Sequence, residues 1–325
     1  MVNELKQLRA LGIGFTGMDI IKSSEDEIIL PGGTCANVLS VLTSMLSWSA
    51  DIVKCKYDDV WNEYINSLWH SLGITIFDCG ITKTKTPRIV QVISGHENRQ
   101  YTACPHCCVK LTEAAFPTKK KIDVVIEGRE YDLFFLDRIS PGAKFLLDLF
   151  SQQGKWTIYE PNSVRVYQPL LNNISMCDVV KFSDSRITKQ YYKKLIDDLN
   201  NMPYKKTKII IITHAEKGYS YSFASKNKLS TLKTITVNPL SNMIDSSGAG
   251  DWFSAGFIDK LVRRYPRTSS EIDEQSVIDS LLAGQSLAET CCTFVGALGG
   301  LFENHQLFPP YAAGFCDFCK SKIIV

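Results

Sequence analysis

Residues 208–213 read Lys-Ile-Ile-Ile-Ile-Thr, four consecutive apolar, β-branched side chains with no polar position between them. Side chains of a strand alternate between its two faces, so this run presents isoleucine on both. Such a strand needs cover on each side, which is the situation inside a parallel sheet flanked by helices. The rest of the chain has the matching rhythm. Apolar or β-branched runs at 10–15, 74–77, 89–93, 133–136, 156–159 and 179–182 read as strands. Amphipathic stretches at 35–46, 58–72, 142–152, 189–199, 251–264 and 275–298 read as helices. Strand then helix, repeated, predicts an α/β fold with a doubly wound, mostly parallel sheet and helices on both faces. Two segments, 19–31 and 85–103, depart from it. Both are polar, alternating and β-prone, and read as antiparallel strands with one wet face that pair into a small separate sheet. No composition shift marks a linker, so residues 1–325 are read as one domain.

Lys and Arg total 36 against 34 Asp and Glu, a formal net charge of +2. That balance gives no electrostatic case for nucleic acid or an anionic membrane as partner. No apolar run approaches the ~18 residues of a membrane span. The first residues lack the basic-then-apolar order of a signal peptide, so a cytoplasmic location is expected. In that compartment the 11 cysteines are expected as thiols or metal ligands, not as a disulfide framework.

The segment Asp245-Ser246-Ser247-Gly248-Ala249-Gly250-Asp251 leads into an apolar stretch with Phe253, Phe257 and Leu261 spaced by four. Asp and Ser are suited to capping a helix there, and Gly248 and Gly250 let backbone N–H groups approach a ligand closely. Unpaired amides at a helix N-terminus bind anions, including a phosphoryl group in transfer. Asp251 falls in the first turn, where it can accept the proton of an attacking hydroxyl. The same residues also suit a plain capped and buried helix. Earlier in the chain, Gly32-Gly33-Thr34-Cys35-Ala36-Asn37 again opens an apolar stretch, and Asp19 follows the first strand. Open α/β sheets bind ligands at strand C-terminal ends, where a short carboxylate suits pairs of sugar hydroxyls. Turn and capping chemistry alone accounts for these residues equally well.

Gly12-Ile13-Gly14-Phe15-Thr16-Gly17 fits the dinucleotide-binding pattern G-x-G-x-x-G, which requires a helix opening at the glycines. The chain continues as Met18-Asp19-Ile20-Ile21-Lys22-Ser23-Ser24, which is extended and turn-like. The pattern is therefore set aside.

Gly14 and Asp19, then Gly32-Gly33 and Asn37, then Gly248-Ala249-Gly250-Asp251 resemble, in order and separation, the ribokinase-like (PfkB) carbohydrate kinases over nearly the full chain. The resemblance implies a Rossmann-like body with a β-sheet lid, formed by 19–31 and 85–103, and ATP- and Mg²⁺-dependent phosphorylation of a sugar-like hydroxyl. It implies Asp251 as base and Gly248, Ala249 and Gly250 as anion hole. Asp19, Gly32, Gly33 and Asn37 would hold the sugar, with Arg88 and Arg99 reaching it from the lid. Asp245 would help bind a monovalent cation such as K⁺. Thr213 and Gly218 belong to a nucleotide loop, Thr213-His214-Ala215-Glu216-Lys217-Gly218, in which Ala215 replaces the family's first glycine. That exchange is mild only if the φ there is negative. The family's Asn-x-x-Glu is replaced after Lys181 by Ser183-Asp184-Ser185-Arg186, leaving Asp184 to hold magnesium through water. A nucleoside kinase and a non-catalytic sugar- or nucleotide-binding member are the alternatives, and a homodimer through the lid is a further implication of the family.

Cys104-Pro105-His106-Cys107 and Cys316-Asp317-Phe318-Cys319 are two C-x-x-C pairs. Together they suit one four-thiolate zinc site tying the tail, 303–325, to the region beside the lid. Unrelated thiols or a redox pair fit the same spacing. Cys35, Cys55, Cys79, Cys108, Cys177, Cys291 and Cys292 are read as small hydrophobes, and Lys119-Lys120-Lys121 as a solvated loop.

Overall fold

The computed structural model describes residues 7–23, 25–94, 97–162, 166–187, 189–268, 271–302, 307–308 and 315–316. Strand β1 (Arg9–Ile13) is followed by β2 (Gly17–Lys22), β3 (Glu27–Gly32) and helix α1 (Thr34–Leu46). Next come β4 (Ser49–Tyr57), α2 (Val60–Ser71), β5 (Ile74–Thr82), β6 (Arg88–Ser94) and β7 (Glu97–Tyr101). The alternation then runs through α3 (Lys119–Ile126), β8 (Leu133–Leu136), α4 (Pro141–Gln152), β9 (Trp156–Tyr159) and α5 (Tyr167–Ile174). It continues with β10 (Val179–Ser183), α6 (Lys189–Asn201) and β11 (Ile209–Thr213). Strands β12 (Tyr219–Ser225), β13 (Lys228–Leu229) and β14 (Lys233–Ile235) precede the helices α7 (Ala249–Arg264) and α8 (Glu274–Cys291), and β15 (Leu307–Phe308) comes last.

The parallel strands stand in the order β11-β10-β9-β8-β1-β4-β5, with β12 antiparallel at the β11 edge and β13 and β14 beyond it. The chain travels outward from β1 through β4 to β5 and then resumes at β8 on the other side of β1. The order reverses at β1, and the crevice beyond the carboxyl ends of β1 and β8 is where such a sheet takes a ligand. The isoleucine run behaves as its composition requires. Ile209 and Ile211 pack into the hydrophobic core on one face and Ile210 and Ile212 into the core on the other. All four are at most 1% exposed, each worth about 1.5–3 kcal/mol.

The small sheet has the order β15-β3-β2-β6-β7. As expected, β2 and β3, and likewise β6 and β7, pair antiparallel, while the two hairpins join through a parallel β2–β6 contact. The expected wet face is absent in the β2–β3 hairpin. Met18, Ile20 and Ile29 on one face, and Ile21 and Leu30 on the other, are all at most 4% exposed. Even Lys22 and Glu27 are buried, joined as an ion pair at 2.6 Å.

The sequence reading left α5 and β12 to β14 unassigned, and three further elements depart from it for reasons the structure shows. Strand β4 is disguised by the charges of Asp51 and Lys54, both buried. Asp51 accepts from Arg9 and from the Tyr131 hydroxyl, and Lys54 donates to Asn62 and Asp78. Lys119 to Lys121 form the first turn of α3 and not a loop. Helix α8 stops at Cys291, seven residues short of 298, because the chain turns through Gly296 at φ 77° to pack against the glycine loop. The G-x-G-x-x-G glycines open no helix: β1 passes directly toward β2. No described helix is long and apolar enough to cross a membrane.

Candidate active site

Asp251 occupies the first turn of α7, whose N-cap Gly248 has a left-handed backbone at φ 80°. A Cβ at Gly248 would lie 2.5 Å from Ala297, so the loop and the turn after α8 close on each other only with glycine there. Asp245 fastens the same contact. Its Oδ1 accepts from the Ser247 amide and its Oδ2 from the Gly296 amide, both at 2.9 Å. The Ala249 amide donates to the Ser246 carbonyl at 3.2 Å and the Asp251 amide to Gly248 at 2.8 Å. The amides of Gly248 and Gly250 have no hydrogen-bond partner among the described residues, so the unpaired donors are the two glycines, without Ala249.

The N-terminus of α1 brings Asn37 against this loop, and its Nδ2 donates to Asp251 Oδ2 at 2.6 Å across 214 positions of sequence. The other amide atom, Asn37 Oδ1, is buried without a partner. From the lid, Asp19 lies against Gly32, where a Cβ would sit 2.5 Å from the Asp19 carboxyl carbon. Gly33, at φ 110°, leaves no room for a Cβ against the Phe15 carbonyl. Burial pushes the Asp251 carboxyl up to about 7, with Glu160 adding to the rise and the Asn37 hydrogen bond, Lys181 and Arg186 opposing it. Asp19 is also pushed up to about 7, by burial first and then by Asp251 and Asp245. Asp251 and Asp245 thus lie within electrostatic reach of Asp19.

The pfkB family carbohydrate kinase pattern matches residues 29–301. The chain belongs to that family. Its fold is shared with solved structures at low identity. Ribokinase from Giardia lamblia superposes with a TM-score of 0.71 at 15% identity, covering 90% of this chain and 95% of the other. Adenosine kinase from Schistosoma mansoni gives 0.71 at 16%, covering 90% and 98%. A Vibrio cholerae fructokinase double mutant, solved with fructose, ADP and potassium, gives 0.65 at 16%, covering 91% and 95%. No curated protein sequence matches the chain.

In this pfkB family chain Lys181, in the middle of β10, pairs with Glu160 Oε1 at 2.5 Å, while Ser254 of α7 donates to Glu160 Oε2 at 2.8 Å. A Cβ at Gly250 would lie 3.5 Å from Lys181 Nζ, so the ammonium borders the glycine loop. Sequence reasoning missed Glu160; its place just after β9, at the carboxyl edge of the sheet, is the signal that could have found it. Asp184 is taken by His214, whose Nδ1 lies 3.0 Å away and whose Nε2 meets the Ser220 hydroxyl. Thr213 ends β11, and Gly218, at φ 100°, has no space for a Cβ beside the Ile235 carbonyl. Ala215 has φ 49°, so the condition for a mild replacement fails, and the left-handed backbone costs alanine about 1 kcal/mol.

Arg88 is not brought to Asp19. The register pairs it with Met18, on the opposite face of the lid, and it is buried. Arg99 stands opposite Val92 in β7. The residue the lid does offer on the face of Asp19 is Gln91, opposite Ile21. Its Oε1 accepts weakly from Ser247 at 3.4 Å and its Nε2 is buried without a partner. In a strand of apolar neighbours, a glutamine two positions after Ile89 was the overlooked signal. Of the expected zinc ligands, Cys104, Cys107 and Cys316 come together, and Cys319 lies outside the described residues.

Proposed function

We propose that this chain transfers the terminal phosphoryl group of ATP to a hydroxyl of a sugar or sugar-like molecule. One juxtaposition carries the reading: a carboxyl raised to about 7 sits one residue after Gly250, which has an unpartnered amide and whose open Cβ side faces the Lys181 ammonium. The unpaired amides and the cations Lys181 and Arg186 fit the phosphate end of ATP. When bound, ATP supplies the phosphoryl group and ADP as leaving group. Asn37 Oδ1 and Gln91 Nε2, one acceptor and one donor left buried without partners, match a hydroxylated acceptor, which Asp19 and the bare backbone of Gly32 flank. Asp251 takes the hydroxyl proton as the acceptor oxygen bonds to phosphorus and the bond to ADP breaks. Glue-like structural roles fall to Asp245 and Glu160, which hold the loop and Lys181 in place. A potassium ion beside Asp245 belongs to the same reading and would share a carboxylate that already binds two amides.

The donor set at 183–186 does not fit a magnesium ion held by this turn. Asp184 is engaged by His214 and Glu160 by Lys181 and Ser254, while Ser183 and Arg186 replace the expected amide and acid. No step is therefore routed through a metal at this turn. The same exchange favours a second reading, a family member that binds its ligand without turnover, and a nucleoside is the other acceptor the frame accommodates. ADP release measured over a panel of sugars and nucleosides separates these. Turnover with a sugar, reduced at least ~10²-fold in Asp251→Asn, is the expected result. Turnover with nucleosides only transfers the assignment to a nucleoside kinase, and saturable binding without ADP release establishes the non-catalytic reading.

A further inference from the structure

Cys104 and Cys107 lie on a turn shortly after β7, closed by hydrogen bonds from the Cys108 amide to the Cys104 carbonyl and from the Cys104 amide to the Val109 carbonyl, at 2.9 and 2.8 Å. Cys316 comes to this turn from 209 positions further along the chain. The three sulfurs all lie within 4.8 Å of one another, and those of Cys107 and Cys316 are 3.4 Å apart. A disulfide holds its sulfurs at about 2.05 Å. A tetrahedral ion with Zn–S bonds of about 2.3 Å has sulfur–sulfur edges of about 3.8 Å. The cluster has the spacing of ligands around a common ion. Cys104 and Cys316 are 1% and 3% exposed, so two of the three sulfurs are shielded from solvent.

We propose that Cys104, Cys107 and Cys316 ligate one structural zinc ion; the second C-x-x-C spacing in the sequence offers Cys319 for the remaining position, which the variants below test. Thiolates select soft or borderline ions such as zinc over magnesium or calcium, and a fourth thiolate beside these three would close the coordination sphere as in structural sites. Its task is mechanical. Phe315, next to Cys316, packs edge-on against Tyr101 of β7 at 5.2 Å and lies over the Lys22 ammonium of β2 at 5.7 Å. β15 adds itself to the edge of β3. The ion fastens the C-terminal segment across the lid on the face turned away from Asp19. The site shares no residue with the phosphoryl site, so it stands or falls independently of the kinase reading.

Elemental analysis of the full-length protein, purified without chelator and then incubated with zinc and desalted, tests this. About one zinc per chain is expected, since a structural site is nearly full. Cobalt in its place should give a thiolate-to-cobalt charge-transfer band and the intense visible bands of a tetrahedral ion. Cys107→Ser, Cys316→Ser and Cys319→Ser should each lower zinc content at least about tenfold, while Cys108→Ser, at the exposed neighbouring thiol, keeps it. Zinc below about a tenth of an equivalent in the parent protein, no cobalt–thiolate band, or a Cys107–Cys316 disulfide in peptide maps would overturn the proposal. Full zinc retention in Cys319→Ser would overturn the four-thiolate assignment. The cobalt spectrum needs only the parent protein, so the test survives variants that fail to fold.

Discussion

In the proposed reaction Asp251 is the proton acceptor, and its environment fixes how that side chain titrates. Burial and the nearby Glu160 charge raise its pKa from 3.8 to about 7. A raised carboxyl binds its proton more tightly in the folded state, so ionising it opposes folding. The opposing effect is absent below about pH 4, grows as pH rises, and is complete above about 7. Asp251→Asn keeps the hydrogen bond from Asn37 and removes the charge. We therefore expect this variant to melt higher than the parent at pH 8 and nearly equal to it at pH 4, while losing turnover. In thermal melts, a lower melting temperature at pH 8 would show that the carboxylate stabilises the fold and that the assigned environment is wrong. Turnover of the parent should rise with pH through about 7. Because Asp19 lies in the same field and is raised as well, the profile reports the group of acids together. Asp251, Asn37 and Gly248 were singled out in sequence because each stands at a glycine-rich helix start, a pattern that plain capping also produces, and it is the Asn37–Asp251 hydrogen bond that joins the two loops. Glu160 and Gln91 were not, because a lone acid after a strand and a lone amide within one carry no local pattern.

Helix α7 carries Asp251, so the seating of that helix sets the position of the proposed base. It crosses α8 where two glycines meet. A Cβ at Gly256 would lie 2.6 Å from the Ala283 carbonyl oxygen, and a Cβ at Gly284 2.6 Å from the Phe253 carbonyl oxygen. Both obstacles are backbone, which cannot swing aside as a side chain can. Gly256→Ala is expected to destabilise the protein by about 1–3 kcal/mol and to lower turnover by displacing the loop ahead of α7. A denaturation midpoint equal to the parent's would refute the close crossing. The isoleucine run, the helices α1, α2, α4, α6 and α7 and both lid hairpins followed from periodicity. Strand β4 escaped notice because its buried charges are satisfied by residues distant in sequence, and the end of α8 because Asp245 holds Gly296 from outside the helix.

Over the whole molecule, the lid is the part whose role depends on what covers it. Met18, Ile20, Ile29 and Val90 share one core with Ile65 and Trp69 of α2, with Cys104 and Leu111 of the loop after β7, and with Phe315. The face of the lid turned from Asp19 is therefore occupied by the chain itself, which leaves that face unavailable to a second copy. We expect a monomer in sedimentation at micromolar concentration, against the homodimer implied by the family; a dimer broken by substitutions on β2 or β6 would reverse this. The sequence by itself determined the layered α/β body and the two glycine loops, because periodicity and backbone freedom are local properties. Only the tertiary structure decided that Asn37 meets Asp251, that Arg88 faces away from Asp19, and that three cysteines converge. Those outcomes depend on sheet order and strand register, which are settled by packing between segments far apart in the chain.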